Sequence, residues 1–186
     1  FIFYILFVYF FCISFALADI QDRLFNKVES TKTLFFDFKQ RIAEKEEMGK
    51  CYIKYPLLMR CDYENLKKKI VISNGKTVAV IKKKYKKIYY YPIKTTPLFT
   101  ILKKEKILNL IKNNNPTKID SKIIQYELID KNSKILKLFF DKITFEFKGW
   151  ETIDAYSNVV SFSINNLKEN IQINNNFFKI PKEEDL

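Results

Sequence analysis

The spacing of apolar residues changes period several times along the chain, and each change marks an element. Over Asp19–Thr31, the residues Ile20, Leu24, Phe25 and Val28 recur three or four positions apart, with Gln21, Asp22, Lys27 and Glu29 between them. This spacing gathers the apolar set on one side and predicts an amphipathic helix. At Leu34 the period drops to two. Leu34, Phe36, Phe38 and Ile42 are apolar while Asp37, Lys39 and Arg41 are polar, as in a strand with one greasy face. Beyond the charged stretch Glu44–Glu47, Gly49 opens a second strand over Lys50–Tyr55, which Pro56 ends, and a third follows over Leu58–Tyr63. Ile70–Ser73 and Thr77–Ile81 flank Asn74-Gly75, a hairpin signal because a type I′ turn needs positive φ at both central residues. Lys87–Tyr91 is the next strand, stopped by Pro92.

After Pro97, Leu98, Ile101, Leu102, Ile107, Leu108 and Ile111 recur at helical spacing, with Pro97 suited to a first turn. Asn113-Asn114-Asn115-Pro116 stops this helix. Strands resume over Lys122–Leu128, Ile135–Phe140, Ile143–Lys148, Val159–Ile164 and Asn170–Ile173, with turns at Asp130-Lys131-Asn132 and Asn165-Asn166. Phe177-Phe178-Lys179-Ile180-Pro181 reads as an extended tail. About ten short sequential strands and few helices predict a mainly β fold, in which an up-and-down sheet curls into an incomplete antiparallel barrel. The helices are too few for a layer of their own. They are expected to cap the concave side loosely and leave a lined apolar cavity.

The first 18 residues carry no charge and end Ala16-Leu17-Ala18 before Asp19. Small residues at Ala16 and Ala18 fit a secretory signal peptide over residues 1–18, cleaved after Ala18; a membrane anchor is the alternative. The true start then lies upstream of Phe1, and Cys12 is one more apolar residue of the leader. The remaining residues, 19–186, suit a single exported domain, expected to be monomeric.

Charge and chemistry narrow the reading further. The net charge is +12, built almost wholly from lysine. Lys, Ile, Asn, Phe and Tyr are abundant together, as A/T-rich codons would make them, and export argues against a nucleic-acid partner. The chain has no histidine, so Ser-His-Asp and Cys-His constellations and His-ligated metals are excluded. No nucleophile elbow or phosphate-cradling glycine loop occurs, the carboxylates are scattered, and neither enzyme activity, cofactor nor metal is expected. Cys51 and Cys61 lie symmetrically about Pro56 on adjacent strands, either bridged as a disulfide or left as two half-buried thiols. Aromatic residues crowd the strands, and an apolar trough lined by them suits acyl chains. Strand parity nominates Phe36, Phe38, Met59, Val78, Val80, Tyr89 and Tyr91 as its surface, with Leu98 and Ile101 from the covering helix.

The runs Phe38-Lys39-Gln40, Gly49 to Tyr63, Ile70 to Lys76, Tyr91-Pro92, Thr96-Pro97-Leu98, Trp150 to Asp154 with Asn158, and Phe177 to Pro181 occur in this order over nearly the whole mature chain. Together they resemble the outer-membrane lipoprotein carrier proteins of the LolA type. The resemblance implies an incomplete barrel with a helical lid. It implies a periplasmic carrier of lipoprotein acyl chains that needs no cofactor. The partners it implies are an inner-membrane ABC-type releasing complex and an outer-membrane receptor lipoprotein. A sensor of lipids or misfolded lipoproteins with the same architecture is the alternative. The family commonly has Arg just before the hairpin proline, where it ties the lid shut. Tyr55 stands there in this sequence, so Tyr55 and Arg60 are the latch candidates, and Met59 falls where the family has an apolar cargo-handling residue.

Overall fold

The computed structural model describes residues 19–66, 68–129, 135–154 and 156–186. The leader read over Phe1–Ala18 and the turn at Asp130-Lys131-Asn132 lie outside them. Eleven strands are described: β1 (Thr33–Ile42), β2 (Lys45–Lys54), β3 (Leu58–Tyr63), β4 (Lys69–Asn74), β5 (Thr77–Lys82), β6 (Lys87–Pro92), β7 (Lys118–Ile119), β8 (Ile123–Ile129), β9 (Ile135–Asp141), β10 (Phe147–Ile153) and β11 (Val159–Glu169). They form one antiparallel sheet in the order β6-β5-β4-β3-β2-β1-β11-β10-β9-β8-β7. Two meanders therefore meet where β1 pairs with β11, and β6 and β7 are left as separate edges, so the sheet does not close. The helices are α1 (residues 19–30), α2 (Leu98–Leu102) and α3 (Lys104–Asn113). The chain between the two edges carries α2 and α3.

Alternation along the strands divides the sheet into two faces. The inner face holds Leu34, Phe36, Phe38, Cys51, Ile53, Met59, Cys61 and Val78 from one half and Ile124, Tyr126, Leu138, Phe140, Trp150, Phe162 and Ile164 from the other, in one cluster with the helices. The outer face carries a second, smaller cluster of Ile70, Ile72, Ala79, Ile81 and Ile88, against which Ile180 and Leu186 of the tail pack. Phe177 meets Tyr52 edge-on on this side, and the Arg60 guanidinium lies over the Phe177 ring. The tail thus covers an apolar patch that an antiparallel meander would otherwise expose to water.

Several elements differ from the reading of the sequence. The charged stretch Glu44–Glu47 is strand from Lys45 on, because Lys45, Glu46 and Glu47 each find a partner on β1: Arg41 sits opposite Glu46, and Lys39 Nζ is 2.9 Å from Glu46 Oε1. The Asn74-Gly75 turn is displaced by one residue. Only Gly75 has positive φ, +95°, and the loop is Gly75-Lys76, which fits a type II′ turn; Asn74 Oδ1 instead accepts from the Lys76 and Thr77 N–H groups at 3.1 and 2.9 Å. Asn165-Asn166 is no turn at all. β11 runs through it with a bulge against β1, where Asn166 takes φ +50° and donates to Asp37 Oδ2 at 2.7 Å. Residues 170–173 lie beyond the strand, and the strand expected over Ile143–Lys148 begins instead at Phe147.

Candidate ligand-binding site

The inner face is built mainly from aromatic rings in contact across strands. Phe38 of β1 stacks on Phe162 of β11 at 4.7 Å, Phe162 on Trp150 of β10 at 3.9 Å, and Trp150 on Phe147 at 6.0 Å. Phe147 then meets Phe140 of β9 at 5.4 Å, and Phe140 meets Tyr126 of β8 edge-on at 6.4 Å. Gly149 makes this row continuous. It takes φ +136° at a bulge between β9 and β10, which turns both Phe147 and Trp150 inward. A Cβ there would sit 1.9 Å from the Phe162 carbonyl oxygen, so only glycine allows the two strands to approach. Gly49 has the same function on the other half, where a Cβ would lie 2.2 Å from the Asp62 carbonyl oxygen.

Over this face lie Leu24 and Val28 of α1, Ile101 and Leu102 of α2, and Ile107, Leu110 and Ile111 of α3, all buried. The result is a half-open sheet with an aromatic inner face covered by helices. The sequence matches the family described as outer membrane lipoprotein carrier protein LolA over residues 29–181. The chain belongs to the LolA family. No curated protein matches the sequence. Among solved structures, an uncharacterized conserved protein from Thermus thermophilus is similar with a TM-score of 0.53 at 11% identity, over 90% of this chain and 95% of that one. A LolA superfamily protein from Nitrosomonas europaea is similar with a TM-score of 0.45 at 7% identity, over 88% and 97%. MucB in the MucA/MucB complex of Pseudomonas aeruginosa reaches 0.49 at 9% identity, over 90% of this chain and 62% of that one. The family match makes the fold that of a LolA-type binding module.

In this LolA-family chain the helices fill the inner face more completely than the sequence suggested. The cavity between α1, α3 and the sheet is lined by Val28, Leu34, Tyr55, Ile107, Phe140 and Phe147, and its volume is about 20 Å³. That is room for a single water, not for an acyl chain. Among the described residues, the helices' own side chains occupy the space where a loosely covered trough is expected. The reason is a break that periodicity concealed. The spacing predicts one helix over Leu98–Ile111, but at Lys103 the backbone leaves the helical region (φ −97°, ψ 88°), which rephases the apolar positions so that α2 and α3 both bury a full stripe. The break frees the Leu102 carbonyl, which accepts from the Leu57 N–H at 2.8 Å and joins α2 to the β2–β3 turn.

The remaining polar ties sit at the ends of the helices. Lys104 Nζ donates to the Glu29 and Thr31 carbonyls at 2.8 and 3.1 Å, capping the C-terminus of α1. Gln21 Nε2 at the other end of α1 donates to the Ile111 carbonyl and, at 3.1 Å, to that of Asn114. The two helices therefore run antiparallel, clamped at both ends and apolar between. Lys27 of α1 is ion-paired with Glu169 at the end of β11.

The predicted site residues separate into groups. Phe36, Phe38, Met59, Val78 and Ile101 are buried in the inner cluster, and Leu98 packs on its margin. Val80, Tyr89 and Tyr91 share the inner parity through the pairs Val80–Tyr89 and Val78–Tyr91. Tyr89 and Tyr91 nonetheless lie on the edge strand beyond the helices, 44% and 46% exposed. Tyr55 lines the small cavity, where burial and then the Glu169 charge push its hydroxyl pKa well up, so it stays protonated. Arg60 lies on the outer face, held to Asp62 at 3.1 Å and beneath Phe177, away from the helices. Odd and even positions of a strand cannot share a face, and Arg60 follows Met59. Cys51 and Cys61 are direct partners across β2 and β3, with sulfurs 1.95 Å apart, at disulfide-bonding distance. Reading the sequence missed Tyr126, Trp150, Phe162 and Ile164. Period-two alternation was present there, but the bulges at Gly149 and Asn166 break its phase.

Proposed function

We propose that this protein is a periplasmic carrier that takes up the acyl chains of lipoproteins on its inner face and passes them from the inner to the outer membrane. What supports this reading most directly is the cover. The apolar surfaces of α1 and α3 lie on an aromatic face, and the hydrogen bonds that hold the two helices together among the described residues are at their ends. A bound acyl chain replaces one apolar surface by another, so burial is conserved and only the end contacts must break. Each methylene buried contributes about 0.8 kcal/mol, enough for a long chain to displace those contacts. Membership of the LolA family agrees with periplasmic location and a carrier fold without catalysis. The partners are then an ABC-type releasing complex at the inner membrane and a receptor lipoprotein at the outer membrane.

The test uses a fluorescent fatty acid with the delipidated protein. Saturable binding that is nearly independent of salt is expected, together with faster amide hydrogen exchange in α3 on binding. A protein that takes up no probe would contradict the reading. Transfer of a bound lipoprotein to acceptor membranes distinguishes a carrier, which releases its cargo, from a sensor, which holds it.

A further inference from the structure

The positive charge of the chain is concentrated in one place. From Lys82 to Lys112 there are ten lysines and one carboxylate, Glu105, which accounts for nine of the twelve net charges. This stretch is continuous in the fold: the end of β5, a 3-10 turn over Lys83–Tyr85, the edge strand β6, and then α2 and α3. The ion pairs of the described residues all lie elsewhere, so none of Lys82, Lys83, Lys84, Lys86, Lys87 and Lys94 takes part in one. Two acidic groups of the tail lie beside this stretch. Glu183 accepts from the Ile88 N–H at 3.1 Å, and Asp185 lines a groove with Lys83.

Tyrosines are interleaved with these lysines. Tyr85, Tyr89, Tyr90 and Tyr91 are 51%, 44%, 54% and 46% exposed, an unusual number of half-open aromatic rings for one edge. Tyr89 and Tyr91 stand on the inner side of β6 and Tyr90 on the outer, because neighbouring residues alternate. They form a ridge along the sheet edge and not a flat platform on which bases would stack. Strand addition to this edge is also hindered. The Ile88 N–H is already taken by Glu183, and Pro92 has none to offer.

We propose that this rim docks on the surface of an anionic lipid bilayer. The tyrosines sit at the level of the headgroups, where amphipathic rings are favoured, and the lysines face the lipid phosphates. The rim is continuous with α2 and α3, so docking brings the helical cover of the inner face to the bilayer. This inference rests on charge and exposure at the edge and stands independently of what the inner face binds.

The experiment is flotation of the full chain with vesicles of equimolar phosphatidylglycerol and phosphatidylcholine. Binding that weakens with salt is expected, and none to phosphatidylcholine alone. Each lysine near an anionic surface contributes roughly a fivefold factor, so removing three lowers the affinity by about 100-fold, and the charge reversals Lys83→Glu/Lys84→Glu/Lys87→Glu lower it by more than that. The charge-matched control Lys50→Glu/Lys122→Glu/Lys168→Glu, at exposed sites elsewhere, changes it only a few-fold. Both variants keep the apolar segment Phe1–Ala18, so their difference reports the rim. A Tyr90→Trp variant is quenched by brominated lipid, while the buried Trp150 is silent. Equal losses in the two triple variants, an unquenched Tyr90→Trp, or binding to a DNA duplex without binding to vesicles would each overturn the proposal.

Discussion

Tyr126 is 1% exposed on the inner face, and its hydroxyl has no hydrogen-bond partner among the described residues. Burial pushes its pKa up to about 12, so the ring stays neutral but keeps an unmet donor in an apolar setting. A buried hydroxyl of this kind costs about 1–3 kcal/mol relative to one that is bonded. Tyr126→Phe should therefore stabilise the protein by about 1 kcal/mol, read as a higher urea midpoint with an unchanged slope. A lower midpoint would mean that the hydroxyl is satisfied in solution. The same residue shows why sequence alone undersells the inner face. Its neighbours Ile124, Leu138 and Phe140 come from an alternation that was legible, but the row they belong to is assembled across five strands.

Among the elements, the β2–β3 hairpin and the α2–α3 break bear most on the site. Cys51 and Cys61 sit directly opposite each other with Cα atoms 4.0 Å apart, on the inner face. A bridge closing so short a loop contributes about 2–3 kcal/mol. Reductant should lower the urea midpoint of the wild type by that amount and leave Cys51→Ser/Cys61→Ser unmoved. A wild type indifferent to reductant would show free thiols. The hairpin itself was readable, because Pro56 and the flanking alternation are local signals. The break at Lys103 was not. Lysine continues a helix as readily as it ends one, and what decides the matter is the Leu102 carbonyl, drawn to the Leu57 N–H of a turn forty-five residues earlier in the chain.

At the scale of the whole molecule, the proposed carrier function makes cover and cargo compete for one surface. The energy that holds α3 against α1 is therefore subtracted from the affinity for any ligand on the inner face. Lys104→Ala removes the two hydrogen bonds to the Glu29 and Thr31 carbonyls, at a cost to docking of about 1–2 kcal/mol. It should tighten binding of the acyl probe roughly tenfold while lowering thermal stability. Lower stability with unchanged affinity would mean that the helices do not compete with the ligand. Charge acts at this scale too. Lysines that look like compositional bias when counted along the chain become a rim once β6 and the helices place them side by side.

By itself the sequence determined the elements and their faces. Alternation from Leu34 onward specified a mainly antiparallel sheet, helical spacing marked the covering segments, and missing histidine removed whole classes of chemistry. These properties depend on neighbours a few residues apart, which is the range over which periodicity carries information. Tertiary structure decided the pairing of β1 with β11, the bulges that align the aromatic row, and how tightly the helices close. Each of these depends on contacts between residues far apart in the chain. A one-residue bulge there reverses a face, and a rephased helix turns an open trough into a packed interior.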